Sequence, residues 1–187
     1  SKHTYNWNKQ PFLDLYTVKR NADASFALPQ PIPGDVNSQY HEGPIFVDAN
    51  ANTFYVTRNN FNENKFQKSK EGVNKLKLYI VNLDGSSSKT FSDFDYNNNE
   101  YSVGHATLDK EGQRLYFVSD MPGGSGGTDI YVSMKEGGKW SSPKNLGKEI
   151  NTEGNEMFQF ISNDDKLYFS SDGFSGLGGL DVYAAQL

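Results

Sequence analysis

The chain lacks cysteine, long apolar runs and any excess of positive charge. Without cysteine, this segment can form neither disulfides nor cysteine-ligated zinc sites, although the redox compartment stays open. No apolar stretch approaches the roughly 18 residues that a membrane-spanning helix needs. The formal net charge of −5 argues against nucleic acid and anionic membranes as partners, because both bind to basic patches.

Helical periodicity is also missing. No segment repeats its apolar residues every 3.6 positions, so the sequence predicts almost no helix. Aromatic residues make up 14% of the chain and lie in short runs separated by turn residues. This pattern is typical of a folded sheet protein and not of a disordered chain.

One stretch recurs along the chain and organises it. Residues 115–133 (LYFVSDMPGGSGGTDIYVS) contain two β-branched and aromatic runs around a glycine-rich loop, which predicts a β-hairpin. The unit returns at residues 167–184 (LYFSSDGFSGLGGLDVYA), and a divergent copy with a longer loop lies at residues 54–81. Tyr116 and Tyr168 are 52 residues apart. A period of this length with about four strands per unit indicates a β-propeller.

The repeat predicts an all-β fold, a partial β-propeller of about three four-stranded antiparallel blades within one domain, 1–187. Residues 1–38 are assigned to the end of a preceding blade and a connector, 39–100 and 101–153 to two blades, and 154–187 to an incomplete blade. Residues 12–18 (FLDLYTV) match the second strand of the hairpin, so the first half of that hairpin is absent. We expect further parts of a longer chain, or self-association, to complete the ring, because open sheets expose faces and edges.

The glycine loops at 123–127 and 176–179 look at first like phosphate cradles. A phosphate loop needs a following helix whose N–H groups converge on the anion, and here a strand follows each loop. The loops are therefore interpreted as hairpin turns in which several glycines adopt positive φ.

Aspartates flank both glycine loops, namely Asp120 and Asp129 at the first and Asp172 and Asp181 at the second. These carboxylates could bind calcium together with loop carbonyls. Alternatively, they accept backbone N–H groups and hold each loop closed. Their recurrence favours the structural role, because a catalytic site is normally built once. The divergent copy has Asn59 and Lys77 at the corresponding places.

Other catalytic signals are weak. His3, His41 and His105 are scattered, and structural hydrogen bonds at the start of blades are favoured over a metal for the last two. No nucleophile elbow is found in a strand–turn–helix context. We therefore assign no catalytic, cofactor-binding or metal residue and expect no cofactor, although a glycosidase-type carboxylate pair stays open. Trp140 and Phe174 are either interaction anchors or packing residues between blades.

The units at 105–133 and 155–184 resemble the TolB-like, WD-type propeller repeat of Bacteroidota cell-envelope proteins. The resemblance is carried by NEMF at 155–158, SND at 162–164, LYFSSD at 167–172, GGLDVY at 178–183, EGP at 42–44 and WNKQPFLDLY at 7–16. Gln159 departs from the family's usual proline, and Lys166 follows Asp165 where the family has a turn glycine.

This resemblance implies an OmpA-family lipoprotein of the periplasmic face of the outer membrane, similar to the PorE-like component of type IX secretion. The function it implies is a non-enzymatic scaffold that binds other proteins of the cell envelope. A propeller that binds carbohydrate or peptidoglycan is the alternative, and a propeller hydrolase comes third. Aromatic residues on one loop face would favour glycan, converging carboxylates would favour an enzyme, and a flat polar face would favour proteins.

Overall fold

A computed structural model describes residues 4, 9–32, 36–62, 65–82 and 90–187. These residues form sixteen β-strands and no helix, so the predicted all-β class is confirmed for the part of the chain that is described. His3 and Trp7 lie outside the described residues. Within those residues there is consequently no helix of the length and hydropathy that a bilayer crossing requires.

The strands form three larger antiparallel sheets, called sheets 1 to 3 below, and two short pairs. The first pair consists of β1 (Tyr16–Thr17) and β2 (Gln30–Pro31). The next strands are β3 (Glu42–Asp48), β4 (Thr53–Asn59), β5 (Phe61–Asn62), β6 (Lys65–Phe66), β7 (Leu76–Asn82) and β8 (Thr90–Asp93). Sheet 1 has the order β3-β4-β7-β8, while β5 and β6 form a small hairpin in the long loop after β4.

Sheets 2 and 3 follow in the chain. Sheet 2 contains β9 (Val103–Leu108), β10 (Arg114–Ser119), β11 (Asp129–Glu136), β12 (Lys139–Trp140) and β13 (Lys144–Asn145). Sheet 3 contains β14 (Glu156–Ile161), β15 (Lys166–Ser171) and β16 (Asp181–Gln186), in that order. The three sheets lie within the segments 39–100, 101–153 and 154–187 that the repeat predicts.

The predicted hairpins are confirmed, with the same register in both close copies. Phe117 lies opposite Tyr131 in sheet 2, and Phe169 lies opposite Tyr183 in sheet 3. In sheet 1 the corresponding pair is Val56 with Tyr79, and the longer loop predicted there holds β5 and β6.

Two outer strands are interrupted or very short. The segment 1–38, which the sequence assigns to the end of a blade and a connector, contains β2, which pairs with β1 and places Pro31 opposite Tyr16. The outer strand of sheet 2 consists of β12 and β13, and in β13 Asn145 lies opposite Tyr131. Pro143 separates the two pieces, and proline has no N–H to donate to a strand partner.

The second strands of sheets 1 and 2, β4 and β10, are buried on both faces. In β10, Leu115 and Phe117 pack toward sheet 1, while Tyr116 and Val118 pack toward sheet 3. A run without polar alternation is typical of a strand covered on both sides. The same alternation in β4 sends Val56 toward β1 and β2 and Tyr55 toward sheet 2.

The sheets therefore stack face to face with an apolar layer at each junction. The first strand of each sheet covers the sheet before it: β9 contacts β3, β4 and β7, and β14 contacts β9, β10 and β11. Polar bridges cross the same junctions. Lys75 Nζ lies 2.6 Å from Asp120 Oδ2 between sheets 1 and 2, and Arg114 Nη2 lies 2.5 Å from Asp165 Oδ1 between sheets 2 and 3.

Three asparagines attach the connectors to earlier parts of the chain, namely to β7, to β11 and to Leu15, which directly precedes β1. Each side chain accepts the N–H and donates to the C=O of one residue, in the pairs Asn37 with Leu15 (2.7 and 2.9 Å), Asn97 with Leu78 (3.0 and 2.8 Å) and Asn151 with Ile130 (2.8 and 3.0 Å). Each asparagine therefore holds both the N–H and the C=O of one residue. As a result, the connector is fixed at an equivalent point in each repeat. The next sheet is thereby placed over the last.

The far side of sheet 3 has no sheet packed against it among the described residues. Tyr168 is 40% exposed and Val182 is 75% exposed, whereas the equivalent Tyr116 and Ile130 of sheet 2 are 2% and 0% exposed. Phe160 on β14 is also exposed. Within the described residues, sheet 3 therefore presents an apolar face that no other sheet covers.

The equivalent tyrosines provide a test of this stacking. Tyr116→Ala should lower the free energy of unfolding by on the order of 3 kcal/mol, because it removes a ring from a closed layer. Tyr168→Ala, the matched control, should cost less than about 1 kcal/mol. Urea denaturation measures both values, and equal losses would contradict the stacking described here.

Candidate functional site

The glycine loops and the starts of the first strands share one end of the sheets, and most candidate residues lie there. Asp129 Oδ2 accepts the Ser125 N–H at 2.5 Å and the Asn145 amide at 3.0 Å. Asp181 Oδ2 accepts the Leu177 N–H at 2.8 Å. Each of these carboxylates therefore closes the loop that precedes it, which is the second of the two roles considered for them.

The other loop-flanking residues hold the first strand of their own sheet. Asp172 accepts the Asn155 N–H at 2.6 Å, and its pKa is lowered by the hydrogen bonds from Asn155. Asp120 accepts the Ser102 N–H in the same way. The described residues contain no group of three or more His, Cys, Asp or Glu side chains arranged to hold a metal ion.

Asn59 shows that holding the first strand of a sheet requires a hydrogen-bond acceptor and not a charge. It takes the place of Asp120 in the divergent copy, and its Oδ1 accepts the His41 N–H at 3.1 Å. Neutral and ionised side chains thus make the same contact in different sheets. A structural role explains why the residue type varies between copies.

The loop glycines are needed for two different reasons. Gly123, Gly178 and Gly179 adopt positive φ, as the hairpin interpretation predicts. Gly124 and Gly176 do not, and there a Cβ would overlap the Asp129 or Asp181 carboxylate and approach the hydroxyl of the following tyrosine. Close approach of the loop to its own aspartate therefore selects glycine at these two positions.

Both described histidines make structural contacts. Nδ1 of His41 accepts the Leu13 N–H at 3.0 Å, and Nδ1 of His105 accepts the Phe158 N–H at 3.3 Å. Burial lowers the pKa of each imidazole, which suits a ring nitrogen that accepts a hydrogen bond. The His105 ring stacks on Phe158 with centroids 4.7 Å apart, so it helps join sheets 2 and 3.

Gln159 also joins these two sheets. Its side-chain amide donates to the carbonyl of His105 and to that of Tyr116, the latter at 3.2 Å. The side chain is buried at the junction. Gln159 therefore adds a polar contact between sheets 2 and 3.

Sheet 1 places two cationic side chains where sheet 2 has a serine and an aspartate. Arg58 and Lys77 occupy the positions of Ser119 and Asp129 and are buried. Arg58 Nε lies 3.6 Å from Glu42 Oε1, and its guanidinium lies 5.2 Å from the centre of the Tyr79 ring. Burial raises the pKa of Glu42, although hydrogen bonds from Ser38 act in the opposite direction.

The two exposed-aromatic candidates pack inside the molecule. Trp140 is half-buried in the layer between sheets 1 and 2, and its ring lies 6.5 Å from that of Tyr55. Phe174 is half-buried against Phe169 and Tyr183. Trp140 therefore packs between two sheets, which is one of the two roles that the sequence left open, whereas the ring contacts of Phe174 are with its own sheet.

The cavity at this end is small and mainly apolar. It measures about 220 Å³ and lies between sheets 2 and 3, where His105, Val118, Asp120, Thr128 and Met157 contribute to its walls. The Asp120 carboxylate is already engaged with Ser102 and Lys75. The cavity therefore offers shape and apolar surface more than reactive groups.

The sequence prediction missed the most repeated polar contacts of this region. The sequence did not reveal the three connector asparagines. Asn37, Asn97 and Asn151 are 60 and 54 residues apart and therefore do not keep the 52-residue period. A signal was present in the similar strings VNS at 36–38 and INT at 150–152. In both, the residue after asparagine donates its hydroxyl to a glutamate four positions later.

The sequence matches no protein-family model and no curated protein. A solved structure of a puromycin-hydrolysing peptidase from Mycobacterium tuberculosis resembles the chain with a TM-score of 0.54 and 15% sequence identity. The match covers 97% of this chain and 28% of that structure, so the chain spans a small part of its length. At this identity the likeness concerns the fold alone.

Gly176→Ala should disrupt the second glycine loop. A methyl group there would displace the Asp181 carboxylate and weaken its bonds to the loop, at a cost of about 1–3 kcal/mol in unfolding free energy. Ser175→Ala, in the same loop, should change little. Hydrogen exchange of the Leu177 amide should quicken in the Gly176 variant alone, and unchanged protection would contradict the assigned contact.

Lys77 should make stability depend on pH. Burial lowers its pKa from 10.5 to about 8, so between these values the unfolded chain binds more protons than the folded one. The unfolding free energy of the wild type, relative to Lys77→Met, should therefore rise by about 2 kcal/mol from pH 8 to pH 10. Replacing the exposed Lys148 by Met should leave this pH dependence unchanged, and a difference that stays flat for Lys77→Met would refute the assignment.

Proposed function

We propose that the three sheets are successive blades of a β-propeller and that the chain acts as a non-enzymatic protein–protein interaction scaffold. Three features support the propeller: the shared hairpin register, the covering of each sheet by the first strand of the next, and the repeated asparagine contact. A propeller consists of such four-stranded units arranged around an axis.

The interaction role is carried by one observation, the exposed apolar face at the end of the stack. Phe160 and Tyr168 are 54% and 40% exposed and lie opposite each other on neighbouring strands of sheet 3. Large exposed apolar surfaces on folded proteins mark sites that contact other proteins. Because these side chains lie on the surface of a sheet, they suit a protein partner better than a small molecule.

The polar side chains at the loop end support a non-enzymatic role. Asp129, Asp172 and Asp181 each accept a backbone N–H, and these bonds maintain the sheets. A general base or a nucleophile instead needs a partner group positioned toward a substrate. Peptide hydrolysis belongs to the structural neighbour and is not carried over to this chain.

We further propose, from the sequence resemblance, that the chain belongs to a periplasmic lipoprotein associated with the outer membrane, in the manner of a PorE-like component of type IX secretion. Its partners are then other cell-envelope proteins. Peptidoglycan binding is the alternative function, as in the sequence analysis.

Reconstitution with a defined partner tests the scaffold function. The chain is cross-linked in an envelope fraction, the attached protein is identified and purified, and the complex is rebuilt and measured by calorimetry. We expect a one-to-one protein complex without turnover of peptide substrates. A double variant with Phe160 and Tyr168 changed to serine should bind the partner at least tenfold more weakly, whereas the buried-layer control Tyr116→Phe should bind normally.

Two results would overturn this proposal. Binding of soluble peptidoglycan fragments in the absence of any reconstituted protein complex would favour the glycan alternative. Release of amino acids from peptide amides by the purified chain would establish an enzyme.

A further inference from the structure

We infer that the cavity between sheets 2 and 3 at the glycine-loop end is a binding site for a phenol group, supplied by a tyrosine side chain of a protein partner. This inference rests on the proposed scaffold function and adds the chemistry by which the partner is recognised. The walls of the cavity belong to residues 76–157. The site is therefore distinct from the exposed face that carries Phe160 and Tyr168.

The size of the cavity selects a single side chain. Its volume is about 220 Å³, whereas pockets that hold cofactors and other small molecules usually measure about 300–1,000 Å³. A protein cavity of about 150 Å³ is large enough to bind benzene. One aromatic ring with a small substituent therefore fits this cavity, and a nucleotide or a disaccharide does not.

Most of the cavity wall is apolar. Leu76 contributes from sheet 1, Val118 from sheet 2 and Met157 from sheet 3. An apolar group gains free energy when it leaves water for such a space, and apolar cavities hold water poorly. The thioether of methionine makes favourable contacts with aromatic rings. Met157 therefore favours an aromatic occupant over an aliphatic one.

Hydrogen bonds within the wall keep the cavity in shape. Ser119 Oγ donates to the C=O of Ser102 at 2.6 Å, which joins the first two strands of sheet 2. Thr128 Oγ1 donates to the C=O of Glu156 at 3.1 Å, which joins sheets 2 and 3. A preformed site of this kind needs little ordering when its partner binds, so less binding free energy is lost.

Two residues of the wall retain hydrogen-bonding capacity. Burial lowers the pKa of His105 and keeps its ring neutral. Its Nδ1 accepts the Phe158 N–H, so the proton lies on Nε2, which makes no hydrogen bond within the described residues. The Asp120 carboxylate accepts from Ser102 and Lys75, one at each oxygen, and each oxygen can accept once more. The wall thus contains one donor and one acceptor.

A phenol matches this combination better than other side chains. Its ring fills apolar space, and its hydroxyl can accept from His105 and donate to Asp120. A leucine or phenylalanine side chain would leave the His105 donor without a partner in a desolvated site. A carboxylate would be repelled by the charge of Asp120. Tyrosine is also one of the residue types that dominate the binding energy of protein interfaces.

The probes for the cavity are p-cresol and toluene, which are the isolated side chains of tyrosine and phenylalanine. The chain has three methionines, so carbon-13 labelling of their methyl groups gives three NMR signals. We expect p-cresol to shift the Met157 signal saturably, whereas the exposed Met134 serves as an internal control. p-Cresol should bind roughly fivefold more tightly than toluene, because only p-cresol forms hydrogen bonds.

Matched variants separate shape from hydrogen bonding. Leu76→Trp fills the cavity and should abolish binding of both probes, whereas Leu180→Trp, at the equivalent exposed position of sheet 3, should leave binding unchanged. His105→Phe introduces the residue type of Phe158, its equivalent in sheet 3, and the two positions have φ values of 54° and 55°. This variant should still bind toluene but lose the preference for p-cresol. Circular dichroism verifies that all three variants are folded.

The reconstituted partner complex distinguishes a partner's tyrosine from a free phenol. Leu76→Trp should weaken the complex at least tenfold, and an excess of p-cresol should compete with the partner. Leu180→Trp should form the complex as the wild type does. Calorimetry measures the affinity in each case.

The inference is overturned if neither probe shifts the Met157 signal, if both probes bind equally well, or if Leu76→Trp binds p-cresol like the wild type. These results can occur with an intact partner complex, in which case the scaffold function stands. A complex that neither Leu76→Trp nor p-cresol weakens would also overturn the inference, because the partner would then not use the cavity. Binding of p-cresol without any protein complex would instead contradict the scaffold function and, with it, the partner's tyrosine.

Discussion

The bond between a connector asparagine and the backbone of the third strand is the contact on which the arrangement of the sheets depends. Asn37, Asn97 and Asn151 each satisfy one N–H and one C=O of the strand before them. A buried amide that makes both bonds is stable, whereas losing it leaves two strand groups unpaired. The chain therefore returns toward the next sheet from a defined position in every repeat.

The stacking of the sheets follows from this defined path of the connectors. Each first strand lies over the sheet before it, so Tyr55 and Tyr116 are buried by the sheets that come next in the chain. The same residue type at Tyr168 is exposed because nothing among the described residues covers it. A tyrosine at the equivalent position of the repeat is thus a core residue twice and a surface residue once, and the difference is the presence of a neighbouring sheet.

The three sheets have the same strand arrangement but differ in the polar side chains at equivalent positions. Sheets 2 and 3 use Ser119 and Ser171 to bond the start of their first strands, whereas sheet 1 places Arg58 there, beside Glu42. A buried ion pair is costly to desolvate and adds specificity more than stability. The second and third strands pair through backbone hydrogen bonds at these positions in all three sheets. Different side chains can therefore occupy the same backbone geometry.

The sequence by itself determined the all-β class, the paired strands and the loop positions, because alternating aromatic runs and glycine turns act over a few residues. It also indicated that Asp129 and Asp181 close their loops. Only the tertiary structure decided that Asn151 binds the backbone of Ile130, that Lys77 is buried and that Tyr168 is exposed. Each depends on which sheet lies beside the residue, and a contact between segments 20 or more positions apart has no fixed spacing in the sequence.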